Sequence, residues 1–249
     1  METTSDYKVK SVGGASAFAK YRGLFYGDRS SGYIMASELI QLFTQGLPGA
    51  LGLVLRKNLY PMLFKSAGRG CIFGRNITLR HAHKISLGEG VILDDNSVVD
   101  AKGETNSGIQ IGNGVYVGRN TIVYCKNGDI AISDAVNISA NCQIFSSNKL
   151  TIGTNTVIGA FAYLLSGGEY DYRSPLPFAQ QSGQETKGPL EIGANCWLGA
   201  HVTVTDAASI GEHCVIGAGA VVTKPVPANS IAVGIPARVI KSLDARPAT

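Results

Sequence analysis

The stretch LEIGANCWLGAHVTVTDAASIGEHCVIGAGAVV, residues 190–222, carries a large aliphatic side chain at every sixth position. Ile192, Leu198 and Val204 form one set of three, and Ile210, Ile216 and Val222 form the next. Toward the N-terminus the same step recurs in Ile152, Ile158 and Leu164, in Ile132, Ile138 and Ile144, in Ile111, Val117 and Val123, and in Leu87, Leu93 and Val99. A weaker set comprises Phe73, Leu79 and Ile85. A six-residue period sustained over this length fits neither a helix nor simple alternation. It predicts an all-β solenoid of three short strands per coil, with each aliphatic pointing inward onto its equivalents in adjacent coils. One coil cannot bury its own core, so stacking supplies the stability. Small residues follow many of the aliphatics (Gly112, Gly153, Gly193, Gly211, Gly217), and they are expected to let the corners turn tightly.

The hydrophobic share is 45%, enough for a continuous core, and the charged share is 16%. A load of 31 glycines without a collagen period points to many tight turns. Net charge is +4, with the cations spread along the chain, which gives no footprint for nucleic acid. Cys71, Cys125, Cys142, Cys196 and Cys214 form no CxxC pair. Such an odd set, behind an opening METTSDYKVK that lacks a secretory apolar run, reads as reduced thiols in the cytoplasm.

Ahead of the repeat, residues 1–31 are polar and Gly/Ser-rich, with little periodicity. Residues 32–66 are apolar and helix-forming, but Gly46, Pro48 and Gly49 break any single long helix. Glu38, Arg56, Lys57 and Lys65 interrupt the run, so a membrane span is not expected. Two short helices capping the open end of the solenoid are the expectation, and peripheral contact with a membrane interface is compatible with it. The expected organisation is an N-terminal extension over 1–66, a solenoid over 67–241 and a tail over 242–249. The 28-residue step from Leu164 to Ile192 places a long loop over 165–189, and such an excursion from a compact solenoid usually carries function.

Over about residues 70–241 the chain resembles the hexapeptide-repeat acyltransferases, whose fold is a left-handed parallel β-helix. TKGPLEIGANCWLGAHVTV and the restrictive GAGAVVTKPVPANSIAVGIPARVIK look like the C-terminal signature of the maltose, galactoside and polysaccharide O-acetyltransferase group. The handedness is an expectation from that resemblance alone. The resemblance further implies a homotrimer, acetyl-CoA as co-substrate held in a groove between subunits, and a saccharide acceptor. Ala200 and Ala218 would be the small residues beside the pantetheine arm, with Trp197 at the groove mouth. Thr223, Lys224, Arg238 and Lys241 would lie near the CoA phosphates, where cations pair with anionic oxygens.

Acyl transfer from a thioester needs a base for the acceptor hydroxyl and donors for the oxyanion. Relatives place a His in the long loop, but this chain has no His between His83 and His201. Counting from Leu164 brings the family position to Glu169 in SGGEYDY, with Asp171 and Tyr170 nearby. Three readings stay open. Glu169 takes the base role, a His such as His201 from elsewhere in the trimer supplies it, or the protein binds a ligand or serves as scaffold without catalysis. His201 and His213 are expected on the outer wall of their coils, and His81 and His83 at the surface of an early coil. No metal is expected, because the zinc site of the γ-class carbonic anhydrases on this fold needs three converging histidines.

Overall fold

The computed structural model describes residues 16–243. METTSDYKVK and most of the expected tail, residues 244–249, lie outside the described residues. The chain is a left-handed parallel β-helix of about seven turns behind an N-terminal helical region. Three sheets of six, nine and seven strands form the faces of a prism, and successive strands of the chain visit them in that order. Pairing between coils is parallel and in register: Ile72, Ile92, Tyr116, Asn137, Val157, Trp197 and Val215 are successive partners on the nine-stranded face.

Each hexad aliphatic is buried, and so, Ile85 apart, is the residue two positions before it, as in the pairs Cys196 and Leu198, Val202 and Val204, and Cys214 and Ile216. The core is therefore two columns of side chains per face, both of them large on the six-stranded face (Ile109 and Ile111, Ile130 and Ile132, Leu150 and Ile152, Leu190 and Ile192) and mostly large beside small on the other two, with each fully buried aliphatic contributing about 1.5–3 kcal/mol. Four cysteines (Cys71, Cys142, Cys196 and Cys214) fill the small column. All five cysteines are free and buried, and burial pushes the Cys196 thiol up to about 11.

The corners correct one sequence expectation. Gly112, Gly153, Gly193, Gly211 and Gly217 are absent from the left-handed φ region. What they provide is close approach between coils. A Cβ on Gly193 would stand 2.4 Å from the Glu212 nitrogen, and one on Gly153 2.5 Å from the Ala194 nitrogen. The left-handed turn falls two residues later, at Asn155 (φ 59°), Asn195 (φ 56°) and His213 (φ 55°) on one edge of the prism. Asn76, Asn96, Asn120, Asn141, Phe161 and His201 take it on the next edge. Asn tolerates this region, and its amides ladder between coils, Asn120 Nδ2 donating to Asn141 Oδ1 at 3.2 Å.

Among the described residues three α-helices precede the prism: α1 (Ala17–Phe25), α2 (Ser31–Thr44) and α3 (Gly49–Leu59). The break between α2 and α3 falls where Gly46, Pro48 and Gly49 place it. Helix α1 lies in a stretch read as aperiodic. Ser16 caps it, and its Tyr21 and Phe25 join Tyr26 and Tyr33 in an aromatic cluster over which Arg80 of the first coil stacks. The free edge of the first coil is satisfied by the helical region. Buried Arg56 donates from Nε to the Phe73 carbonyl, and from Nη1 to the carbonyls of Thr44 and Leu47 at the end of α2, all at 2.9 Å. The Asn76 amide donates to the Gln45 carbonyl. At the other end, Arg238–Ser242 pairs antiparallel with Ser230–Val233 and closes the nine-stranded face.

His81 and His83 are not surface residues. His81 is 4% exposed beneath α1, its Nδ1 3.5 Å from Asp100, because the turn after Phe25 lies across it and Phe25 O accepts its backbone N–H. His83 is half-buried beside it. A second loop, between Val98–Asp100 and Ile109–Ile111, is tied down by Lys84 Nζ, which donates to Gly103 O and Asn106 Oδ1.

Candidate functional site

The long loop leaves the seven-stranded face after Ser166 and returns at Leu190. Gly167 (φ 80°) and Gly168 (φ 82°) turn the chain out in the left-handed region, and Gly168 passes so close to Phe145 that a Cβ would stand 2.7 Å from its ring. Glu169 and Glu185 then pinch the loop shut with reciprocal backbone hydrogen bonds of 3.0 and 3.2 Å. Asp206, from the next coil, is 5% exposed and accepts from the Gly167 and Lys187 amides and from the Thr186 hydroxyl. Lys126 donates from below to the Ser182 carbonyl. Inside the loop, Gln181 accepts from the Asp171 amide and donates to the carbonyls of Asp171 and Leu176.

The two loop carboxylates are therefore engaged. Glu169 pairs with the Lys187 ammonium at 2.7 Å, and that hydrogen bond raises the lysine's pKa. Asp171 accepts the Arg173 amide in a local turn. Tyr170 packs edge-on against Phe178, and both stand at the loop surface. Beneath the loop, Tyr124 packs against Phe145, and burial with Tyr163 beside it pushes its hydroxyl up to about 12.

A second group of candidates meets at a corner of the prism. Ala200 and Ala218 occupy equivalent positions in successive coils, since the Gly219 amide donates to the Ala200 carbonyl just as the His201 amide donates to Ala160 and the Phe161 amide to Ala140. Four coils thus present Ala140, Ala160, Ala200 and Ala218 in one column, a strip where nothing larger than a methyl projects. Beside it, His201 is exposed at φ 59° and stacks flat on Phe161, ring centroids 4.8 Å apart and planes 2° apart. Trp197 stands outward on the adjoining nine-stranded face, 59% exposed, on the wall of a groove of about 410 Å3. His213 lines that groove too, with its Nδ1 buried and without a hydrogen-bond partner. Arg238 and Lys241 are exposed on the closing strand, and Thr223 and Lys224 just past Val221–Val222.

The structure brings Ala200, His201 and Ala218 together and sets Glu169 and Asp171 apart from them. His201 lies level with Phe161, where the strand on the seven-stranded face begins, and the loop departs at its far end, after Ser166. At about 3.3 Å per residue the strand Tyr163–Ser166 puts roughly 10 Å of sheet between this corner and the point where the loop departs. Asp206, Lys126, Lys187 and Phe161 were not singled out from sequence. The step from Val204 to Ile210 is an unbroken six residues, so the hexad spacing carries no signal that marks Asp206. Among the described residues no group of three or more His, Cys, Asp or Glu side chains could hold a metal.

The family described as bacterial transferase hexapeptide (six repeats) matches residues 189–224, the coils that carry this corner. A Staphylococcus aureus protein with a provisional acetyltransferase name is 39% identical over 128 residues, a match covering 45% of this chain and 64% of the relative. The galactoside O-acetyltransferase of Escherichia coli is 35% identical over 106 residues, covering 43% and 50%. The chain therefore spans less than two-thirds of the length of these relatives. An N-acyltransferase from Bacillus cereus, solved with dTDP and 3-hydroxybutyryl-CoA, shares the fold at a TM-score of 0.54 and 20% identity, covering 76% of this chain and 88% of that one. The hexads, the left-handed prism and these relatives make the chain similar to the hexapeptide-repeat acetyltransferases, galactoside O-acetyltransferase among them.

Proposed function

We propose that this protein is a cytoplasmic, homotrimeric acyltransferase that moves an acetyl group from acetyl-CoA to a hydroxyl on a sugar of a surface polysaccharide or its precursor. The observation that carries the reading is the alanine column at one corner, flanked by the His201–Phe161 stack and by Trp197. A smooth strip of this kind suits the thin pantetheine arm, and the exposed cations Lys224, Arg238 and Lys241 suit the phosphates. Relatives named acetyltransferases match somewhat less than half of this chain, which supports the same chemistry.

His201 is the better base of the candidates. Its ring is exposed and anchored by stacking, whereas Glu169 is neutralised by Lys187 and Asp171 is spent on a turn. In the step, an imidazole nitrogen of His201 takes the acceptor's hydroxyl proton while the oxygen attacks the thioester carbonyl. The C–S bond then breaks, and CoA leaves with a proton returned by the same ring. The loop would cover the acceptor, and its exposed Tyr170, Tyr172 and Phe178 offer apolar faces for a sugar ring.

The test is acetyl transfer to a sugar panel, with calorimetric titration of CoA alongside. We expect CoA binding, transfer to at least one sugar, a rate loss of about 10²-fold or more in His201→Gln with CoA affinity kept, and near-full activity in Glu169→Gln. Loss of activity in Glu169→Gln alone would move the base to the loop. Failure to bind CoA at millimolar concentration would sink the transferase reading and leave a non-catalytic binding or scaffold protein.

A further inference from the structure

The helices that seal the prism's open end leave their other faces bare. On α2, Met35, Leu39, Leu42 and Phe43 fall on one side at helical spacing, and Leu42 is 75% and Phe43 67% exposed. On α3, Leu51 and Val54 are likewise exposed, followed by Met62. These side chains share one surface because the two helices form a tied hairpin. The Tyr33 hydroxyl of α2 donates to the Leu63 carbonyl beyond α3, and Arg56 of α3 holds the end of α2. The opposite faces, with Ile34, Ser37, Thr44, Gly52 and Arg56, are buried. An apolar surface of this extent on a chain with low charge marks a docking surface.

The charges around it select the partner. Arg29 before α2, Lys57 at the end of α3 and Lys65 beyond it are all exposed. The nearby acids are Asp28 and Glu38, and the Glu38 carboxylate is taken by the hydroxyls of Tyr21 and Tyr26. An apolar face with a cationic border is the pattern of helices that lie in the headgroup layer of an anionic bilayer. No helix among the described residues is long and apolar enough to cross a membrane, so the contact is one of lying on the surface. The patch also sits at the end of the prism, leaving its long faces free to meet other copies of the chain.

We infer that the α2–α3 hairpin docks this protein on an anionic lipid surface, with Leu42 and Phe43 inserted among the acyl chains and Arg29, Lys57 and Lys65 at the headgroups. The inference does not depend on the enzymatic reading.

The test is co-sedimentation of the full chain with phosphatidylcholine vesicles, with and without phosphatidylserine, alongside sedimentation velocity without lipid. We expect binding to the anionic vesicles, weaker binding as salt is raised, and at least a tenfold loss in the double variant Leu42→Glu, Phe43→Glu with its oligomeric mass and circular dichroism unchanged. Both positions are exposed, so the fold tolerates them, and Lys57→Glu gives a second reading through charge alone. A wild-type chain that stays in the supernatant with both vesicle types would overturn the inference. So would a double variant whose change is a smaller oligomer rather than lost vesicle binding, because the surface would then join copies of the chain.

Discussion

His83 shows how much one side chain can report about its surroundings. It sits half-buried under α1, and burial, with Arg29, His81 and Lys84 adding to it, pushes its pKa from 6.5 down to about 4. Above pH 6.5 the imidazole is neutral in both the folded and unfolded chain, and nothing is lost. Between pH 6.5 and about 4 the unfolded chain takes up the proton and the folded one does not, so stability falls as pH falls through that window. The slope is bounded at about 1.4 kcal/mol per pH unit for one proton, and partial exposure reduces it. The expected outcome is a melting temperature that drops between pH 7 and 4.5 by less in His83→Gln than in wild type. Superimposable pH profiles from differential scanning calorimetry would contradict it. Sequence could not expose this site, because the RHAHKI run carries no sign that a helix folds over it. The hexad glycines teach a related lesson. Their positions were legible, but their reason lies in the neighbouring coil, where the backbone passes within 2.4–2.7 Å of the absent Cβ at Gly112, Gly153, Gly193 and Gly211 and the Val233 side chain within 2.7 Å at Gly217, and a single coil's sequence does not show its neighbour.

At the level of elements, the strands were legible because every third of a coil repeats the same in-and-out pattern, and the long loop because 28 residues separate two aliphatics that elsewhere stand six to twelve apart. What fastens the loop was not legible. Asp206 reaches it from 39 residues beyond Gly167 and meets three donors, the Gly167 and Lys187 amides and the Thr186 hydroxyl, the last of which also donates to the Gly188 carbonyl. Asp206→Ala would leave the buried Gly167 amide without its acceptor, at about 1–3 kcal/mol. The loop base should then open locally while the prism stays folded. Hydrogen exchange at the Gly167 and Lys187 amides is expected to accelerate, and protease cleavage within 167–189 to appear, with amides on the other strands unaffected. By contrast, Glu169→Gln removes only a solvent-screened pair and should leave exchange unchanged. Equal protection in wild type and Asp206→Ala would show that Lys126 and the Glu169–Glu185 pinch suffice without it.

For the whole molecule, the decisive feature is the contrast among the prism's faces. Outward positions on the six-stranded face run through Ser86, Gln110, Ala131, Thr151 and Glu191, whereas those on the nine-stranded face run through Ile72, Ile92, Tyr116, Asn137, Val157, Trp197 and Val215. A ladder apolar at every rung but Asn137 is a surface for another prism, which supports the trimer proposed above. The proposed trimer would also resolve the separation of the candidates, since in one chain the loop departs from the end of the seven-stranded face opposite the alanine column. If a neighbour's loop covers the column, each catalytic site is shared by two chains, and two defective chains can repair each other. We predict that His201→Gln, and a chain shortened between Glu169 and Glu185, are each inactive alone. When they are unfolded together, mixed in equal amounts and refolded, about a quarter of the sites should receive an intact column from one chain and an intact loop from the other, with activity to match. A chain whose column and loop serve the same site would recover nothing on mixing. Sedimentation velocity on the same mixture separates that result from a failure to reassemble, because the trimer mass must return before the activity is read.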